Sequence, residues 1–242
     1  MTGSHRARIW VVIPVRNESG RIGPVIRSLP RSIEGCEAIV PLVVDDGSVD
    51  GTATAVTDRA LVVRHAVSRG KGAALKTGCD VAVDHGCDVI AMMDGDGQHH
   101  PGDLPALVKP LLHGQADLSL GSRRFSGQMP VAARIGNRGL SGAFAVLFGR
   151  RFHDTQCGLR ACTRRAYDVL RWTSDGYAVE TEMLIRAVRC RLRVAEVSIQ
   201  TIYHDSHKGT TVADGVRIIA DMVRWRFARG LDQSNPDAPP FG

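Results

Sequence analysis

The sequence predicts an α/β domain built on a mostly parallel central sheet flanked by helices. Three observations carry this expectation. Short β-branched runs that are apolar throughout, rather than alternating, recur over residues 9–120, as strands covered on both faces require. Helical segments separate them, the order that makes parallel pairing through crossover connections. Polar clusters follow the strands, at the carboxyl ends where open parallel sheets bind ligands. With 242 residues, 43% of them hydrophobic and 23% charged, the chain has enough apolar material for one well-filled core and is not compositionally disordered.

The first strand is Ile9-Trp10-Val11-Val12-Ile13, stopped by Pro14, and residues 20–29 then read as a helix. Pro41-Leu42-Val43-Val44 is the second strand. Asp45-Asp46-Gly47-Ser48 ends it, and residues 50–59 read as a helix with Asp50 as N-cap. A third strand over 60–64 leads to Ser68-Arg69-Gly70-Lys71-Gly72, which opens a helix over 71–84 closed by Gly86. The fourth strand, 88–93, ends in Asp94-Gly95-Asp96-Gly97-Gln98; residues 103–112 are helical and 117–120 extended. The second half is less regular, with helices over 130–148 and 176–189 and strands over 157–163 and 193–203. A last, amphipathic helix covers 212–229. It carries Val212, Val216, Ile219, Val223 and Phe227 on one stripe and Arg217, Arg224, Arg226 and Arg229 on its other face. The expected organisation is a flexible N-terminus over 1–8, one domain over 9–230 with halves 9–120 and 121–230, and a disordered tail over 231–242.

Several function classes drop out early. The six cysteines form no C-x-x-C pair or compact zinc pattern and read as reduced cytosolic thiols. Residues 1–8 lack the apolar core of a secretion signal. The longest apolar stretch, 140–149, is far shorter than a spanning helix. The expected location is cytoplasmic, in solution or on a membrane face. Aromatics, at 5%, offer no stacking platform, so no nucleic-acid partner is expected. The net charge of +6 fits either an ordinary basic surface or attraction to phosphate-bearing substrates and anionic membranes. Walker, dinucleotide, H-E-x-x-H and G-x-S-x-G patterns are absent.

Four polar clusters carry the chemistry. Asp94, Asp96 and Gln98 offer oxygen ligands of the kind Mg2+ or Mn2+ prefers, in a turn whose glycines let backbone approach a ligand; the bland alternative is a solvated acidic turn. Asp45 and Asp46 repel each other at a strand end, and either one is a candidate to accept from a nucleobase N–H; the alternative is a helix cap. The backbone amides and Lys71 of 68–72 suit an anion such as a diphosphate, or form a basic turn. Residues 14–18 gain weight from lying beside the other three. Beyond these, Arg123 and Arg124, with Arg134 and Arg138, match phosphate through the planar guanidinium fork, unless they are surface arginines.

Taken together these residues resemble the family 2 glycosyltransferases of the GT-A fold, and among them the dolichol-phosphate mannose and polyprenyl-phosphate glucose synthases. The matching pieces are residues 13–18, 43–48, 69–74 and 93–99, then 121–123, 154–160 and 195–197. The resemblance spans roughly 9–203 and its specificity lies in the ordered set. It implies a nucleotide pocket lined by Pro14, Val15, Asn17 and Glu18, with Asp45 or Asp46 reading the base and Lys71 and Asp94 near the nucleotide. It implies Asp94, Asp96 and Gln98 around Mg2+ or Mn2+, and Asp96, Arg123 and Arg134 as the catalytic set, the two arginines holding an acceptor phosphate. The implied reaction is inverting transfer of a hexose from a UDP- or GDP-linked sugar to a polyprenyl phosphate.

A phosphate acceptor is already anionic and needs no general base, so positioning and leaving-group stabilisation suffice. A soluble hydroxyl acceptor needs one, and Asp154, Glu180 and Glu182 are the candidates. A third reading is a nucleotide-sugar binding module without turnover. For a lipid acceptor, residues 140–148 and the 212–229 helix are expected to dock on the membrane; the alternative is that both stripes are core.

Overall fold

Apolar runs too short to bury themselves form seven strands of one sheet, and the helices between them cover both faces. The coordinates are a computed structural model that describes residues 6–123, 131–200, 202 and 212–228, without the side chains of 131–133, 212 and 213. In chain order the elements are β1 (Ala7–Val15), α1 (Ser19–Ser28), β2 (Cys36–Asp45), α2 (Thr52–Ala55), β3 (Leu61–Arg64), α3 (Lys71–Asp84), β4 (Val89–Met92), α4 (Leu104–Leu112), β5 (Leu118–Arg123), α5 (Val131–Phe148), β6 (Arg160–Thr163), α6 (Arg164–Leu170), α7 (Val179–Arg189), β7 (Val194–Ile199) and α8 (Val212–Phe227). The sheet order is β3-β2-β1-β4-β6-β5-β7. β6 is antiparallel to β4 and β5, and the other pairings among the described residues are parallel. A strand from the second half thus lies between two from the first, and one sheet runs through both.

Strand alternation sorts β1 between two cores. Trp10 and Val12 face the layer that includes Phe144, Tyr167, Trp172, Leu184 and Met222; Ile9, Val11 and Ile13 face Ile22, Ile26, Leu107 and Val108. This double coverage is why the strand sequences do not alternate.

The structure corrects several element boundaries. β1 begins at Ala7, inside the stretch expected to be flexible, and continues through Pro14 to Val15. Pro14 does not stop it, because even-numbered β1 residues bond towards β4. That pairing ends at Val12 and Met92, so the missing N–H of Pro14 forfeits no ladder bond. The expected helix over 50–59 shrinks to Thr52–Ala55, entered through Gly51 in a left-handed conformation, while Asp50 accepts from Thr52 N. Helix α6 was not anticipated; Thr163 caps it by accepting from Ala166 N. Arg124, Arg229, the end of the expected 193–203 strand and the 231–242 tail lie outside the described residues.

Of the two expected lipid-facing stripes, the one on α5 is core: Leu140 and Phe144 are buried, with Leu147 and Phe148 packed against them. The stripe on α8 is the reverse. Ile218 and Met222 face inward, whereas Val216, Ile219, Val223 and Phe227 are 64%, 41%, 43% and 77% exposed.

Candidate active site

Parallel pairing of β2, β1 and β4 places three polar loops side by side at one rim. Asp46 N donates to Val15 O and Met93 N to Val12 O, so the loops leave the sheet as neighbours. Asn17 adopts a left-handed conformation (φ 55°), which asparagine tolerates. Its backbone N–H donates to Ser48 Oγ (2.9 Å) and its Oδ1 accepts from Val49 N (3.0 Å). Glu18 N donates to Thr52 Oγ1 (2.8 Å), and the buried Glu18 carboxylate accepts from Arg21 (2.8 Å). Asn17 and Glu18 therefore lace the first loop to the second. Pro14 and Val15 form the floor, and Gly95 lies flush on Val15, where an added Cβ would collide with Cγ1.

The two adjacent aspartates have different surroundings. Asp46 accepts from His65 Nδ1 (2.7 Å), Ser68 Oγ (2.7 Å), Arg69 N (2.8 Å) and Gly70 N (2.9 Å). Burial pushes its carboxyl up, but these donors outweigh burial and hold it below the usual value. Asp45 is fully buried. Its Oδ1 accepts from Ser48 N (2.9 Å), while Oδ2 has no hydrogen bond among the described residues and lies 3.3 Å from Arg64 Nε. Of the two aspartates it is Asp45 that keeps a buried carboxylate oxygen with no hydrogen bond among the described residues.

The backbone of 68–72 is not a free anion cradle. Arg69 N and Gly70 N are spent on Asp46, and Gly72 N and Ala73 N donate to Asp175 O at 2.6 and 3.4 Å. Gly70 N, Gly72 N and Ala73 N, three of the amides that a helix N-terminus leaves without an intrahelical partner, are thus satisfied from within the protein. What reaches the rim is the Lys71 side chain, which bridges Asp94 Oδ1 (2.7 Å) and Glu180 Oε1 (2.7 Å). Through Asp46, the 68–71 segment and Lys71, the 45–46 and 94–98 loops belong to one connected site.

Around Asp94 the charge is concentrated. Burial opposes its ionisation, but Lys71 and His99 hold it well below the usual carboxylate range. For Asp96 the balance is reversed: burial and the neighbouring Asp94 charge push its carboxyl up, although Gln98 N donates to it (3.0 Å). Two crowded carboxylates, one of them inadequately compensated, fit a divalent cation. Among the described residues no group of three or more His, Cys, Asp or Glu converges, so they make half a coordination shell that needs oxygens from elsewhere.

On the far side of the rim, Arg123 is held by Asp154 through Nε (2.6 Å) and Nη2 (3.0 Å); Asn137 Nδ2 and Gln156 N also donate to Asp154, each at 3.1 Å. Arg134 lies on the first turn of α5, one turn before Asn137, with its Nε buried. Asp154 is not placed to act as a base: it is buried, and although burial raises its carboxyl, Arg123 brings it below the usual value. Glu182 is likewise committed, fully buried and accepting from the amides and hydroxyls of Thr173 and Ser174 and from Arg186. Of the three base candidates, Glu180 alone lies beside Lys71 and Asp94.

The profile described as Glycosyl transferase family 2 matches residues 10–170. This chain belongs to glycosyl transferase family 2. It is 29% identical to the UDP-N-acetylglucosamine–dolichyl-phosphate N-acetylglucosaminyltransferase of Methanococcus voltae, over 93% of this chain and 98% of that protein. It is 31% identical to the undecaprenyl-phosphate mannosyltransferase of Micrococcus luteus, over 91% of this chain and 95% of that one. Among solved structures it is similar to glucosyl-3-phosphoglycerate synthase from Mycobacterium tuberculosis in complex with Mn2+, uridine-diphosphate-glucose and phosphoglyceric acid. There the TM-score is 0.73 and the identity 25%, covering 91% of this chain and 80% of that one. The fold is accordingly that of the GT-A glycosyltransferases.

Three supports of this rim lie in segments that carry the family resemblance, yet the sequence gives them no role of their own. His99 is 5% exposed, with Nε2 3.6 Å from Asp94 Oδ2; its place next to the acidic turn is the available signal. Gly158 packs so closely over Asp94 that an added Cβ would collide with Oδ2. Arg160, 1% exposed, donates to the carbonyls of Thr155 (2.7 Å), Cys157 (2.8 Å) and Glu180 (2.6 Å), joining the 154–160 segment to α7. Nothing in sequence separates a buried arginine of this kind from a surface one.

Proposed function

We propose that this family 2 enzyme transfers a hexose from a UDP- or GDP-linked sugar to a polyprenyl phosphate, inverting the anomeric centre by direct displacement. The observation that carries the reading is the pairing of the rim carboxylates: Asp154 with Arg123, Glu182 with Arg186 and Glu180 with Lys71. A hydroxyl nucleophile needs an uncommitted base. A phosphate oxygen is already anionic and needs cations to hold it, the role assigned to Arg123 and Arg134. Asp45, with its open buried oxygen, is assigned to the base N–H; Asp46 holds the 68–71 segment. Asp94, Asp96 and Gln98 are assigned to Mg2+ or Mn2+, which would supply charge neutralisation to the departing diphosphate. The acceptors of the M. voltae and M. luteus relatives, dolichyl and undecaprenyl phosphate, support this reading, as does the Mn2+ and UDP-glucose complex of the structural relative.

Among the described residues no helix is long and apolar enough to cross a membrane. The lipid acceptor is reached instead through α8, whose exposed Val216, Ile219, Val223 and Phe227 are bordered by exposed Arg217, Arg224 and Arg226. Apolar side chains rimmed by arginine match an anionic bilayer surface. A second reading, transfer to a soluble hydroxyl with Glu180 as base, draws on the phosphoglyceric acid bound to the structural relative.

The deciding experiment offers UDP-glucose, UDP-N-acetylglucosamine and GDP-mannose, with Mn2+, to undecaprenyl phosphate, undecaprenol and 3-phosphoglycerate in parallel. Sugar on undecaprenyl phosphate alone is expected. Transfer to undecaprenol or 3-phosphoglycerate, with none to the lipid phosphate, overturns the proposal, and transfer to 3-phosphoglycerate does so in favour of the second reading.

A further inference from the structure

Residues 172–175 lie directly over the start of α3. Trp172 Nε1 donates to Gly72 O (2.8 Å), and Asp175 O accepts from Gly72 N (2.6 Å) and Ala73 N (3.4 Å). A Cβ on Gly70 would collide with Asp175 O and one on Gly72 with Ser174 O. The two glycines flanking Lys71 therefore admit the protein's own backbone, not a ligand's phosphate. Lys71 is the residue trapped between them.

The shape of this loop is set by Glu182. Its carboxylate accepts from Thr173 N (2.9 Å), Ser174 N (2.9 Å), Thr173 Oγ1 (3.2 Å) and Ser174 Oγ (2.6 Å), and its charge is offset by Arg186 Nε (2.9 Å). Glu180, two residues earlier on the same turn of α7, holds the Lys71 ammonium itself (2.7 Å). The first turn of α7 thus holds Lys71 at its side chain through Glu180, and holds the adjoining main chain of Gly72 and Ala73 through Glu182 and the Asp175 carbonyl.

We propose that Glu182 is a positioning residue for Lys71, acting through the 173–175 loop to aim the ammonium at Asp94. An amide in place of this carboxylate turns one acceptor into a donor facing the donors of Thr173 and Ser174, so the loop must move. The close contacts at Gly70 and Gly72 pass that movement to Lys71. The link from Lys71 to donor turnover rests on the proposed function; the link from Glu182 to Lys71 does not.

Two readouts test it. The first is amine acetylation by an N-hydroxysuccinimide ester, followed by mass spectrometry at Lys71 and at the exposed Lys76 and Lys109. In Glu182→Gln, and more mildly in Ser174→Ala, Lys71 should label about tenfold faster while Lys76 and Lys109 are unchanged, the pattern of a local opening. The second is donor turnover in a cycle with Lys71→Met: Glu182→Gln should lower kcat/KM in the native background and add nothing to the loss caused by Lys71→Met. Equal acceleration at all three lysines, no acceleration in either variant, or multiplicative losses in the double variant would overturn the inference. If Glu182→Gln does not fold, Ser174→Ala carries both readouts. A native protein inactive with every donor, but with Lys71 released selectively in the variants, defeats the proposed function and leaves this inference standing.

Discussion

At Asp46 both carboxylate oxygens are filled by His65, Ser68 and two backbone amides, whereas the neighbouring Asp45 has a buried oxygen with no hydrogen bond among the described residues. Substitution should separate the two. Asp46→Asn leaves a buried donor facing another donor and should cost about 2 kcal/mol of stability, read as a lower urea midpoint. Asp45→Asn loses only the pair with the exposed Arg64 and should lower the midpoint less than Asp46→Asn, while weakening UDP or GDP binding roughly tenfold by calorimetry through loss of a charge-assisted acceptor. Asp96→Ala should cut transfer by more than about a hundredfold in defined Mn2+ with an unaltered circular dichroism spectrum, since it removes electrostatic stabilisation of the leaving group. Unchanged turnover in that variant would dismiss the metal assignment. At Gly158 even one methyl group must displace Asp94. Gly158→Ala should lower kcat/KM by about a hundredfold, the order expected when a reacting geometry shifts by roughly an ångström.

Among elements, α8 is the one whose sequence left two outcomes open. Its heptad-like stripe has the spacing of a core helix, and Ile218 and Met222 do pack inward. The stripe itself is turned outward, because α8 lies along α5 and α7 with its opposite side and Arg189 of α7 donates to the carbonyls of Trp225 and Ala228 at its end. Val223→Glu and Phe227→Glu should abolish flotation with phosphatidylglycerol vesicles while leaving the melting temperature unchanged, since neither side chain is in the core. Loss of any one of Arg217, Arg224 or Arg226 should weaken binding to anionic vesicles about fivefold, and 0.5 M salt should do the same to the native protein. Flotation insensitive to all of these changes would place the bilayer contact elsewhere.

For the molecule as a whole, the paired carboxylates make stability depend on acid. Asp46, Asp117, Asp154 and Glu182 are each held below their usual values, despite burial, by hydrogen bonds and by Arg193, Arg123 and Arg186. A carboxylate whose folded value is depressed stabilises fully above its unfolded value and loses that contribution as pH falls towards the folded one. These unfolded values lie at 3.8 for Asp and 4.5 for Glu. Urea midpoints should therefore be level from neutral pH down to about 5 and fall steadily below about 4. A midpoint that holds or rises in that acid range would contradict the pairing.

How much was legible in advance differs by kind of information. The strands of 9–120, the α3 helix at its observed bounds and the rim residues follow from local rules: apolar runs make buried strands, and chemistry collects where parallel strands end. Those rules act over neighbours in the chain, so these features are readable without coordinates, as is the family. The sequence left undecided which of Asp45 and Asp46 keeps an open acceptor, whether Glu182 is exposed to act as a base or buried to shape a loop, and which face of α8 meets solvent. Each of these turns on partners 8 to 24 residues away or farther, such as Gly70 for Asp46, Ser174 for Glu182 and Arg189 for α8. A polar side chain's role is set by the donors and charges around it once burial removes water. Only the tertiary structure brings those groups together.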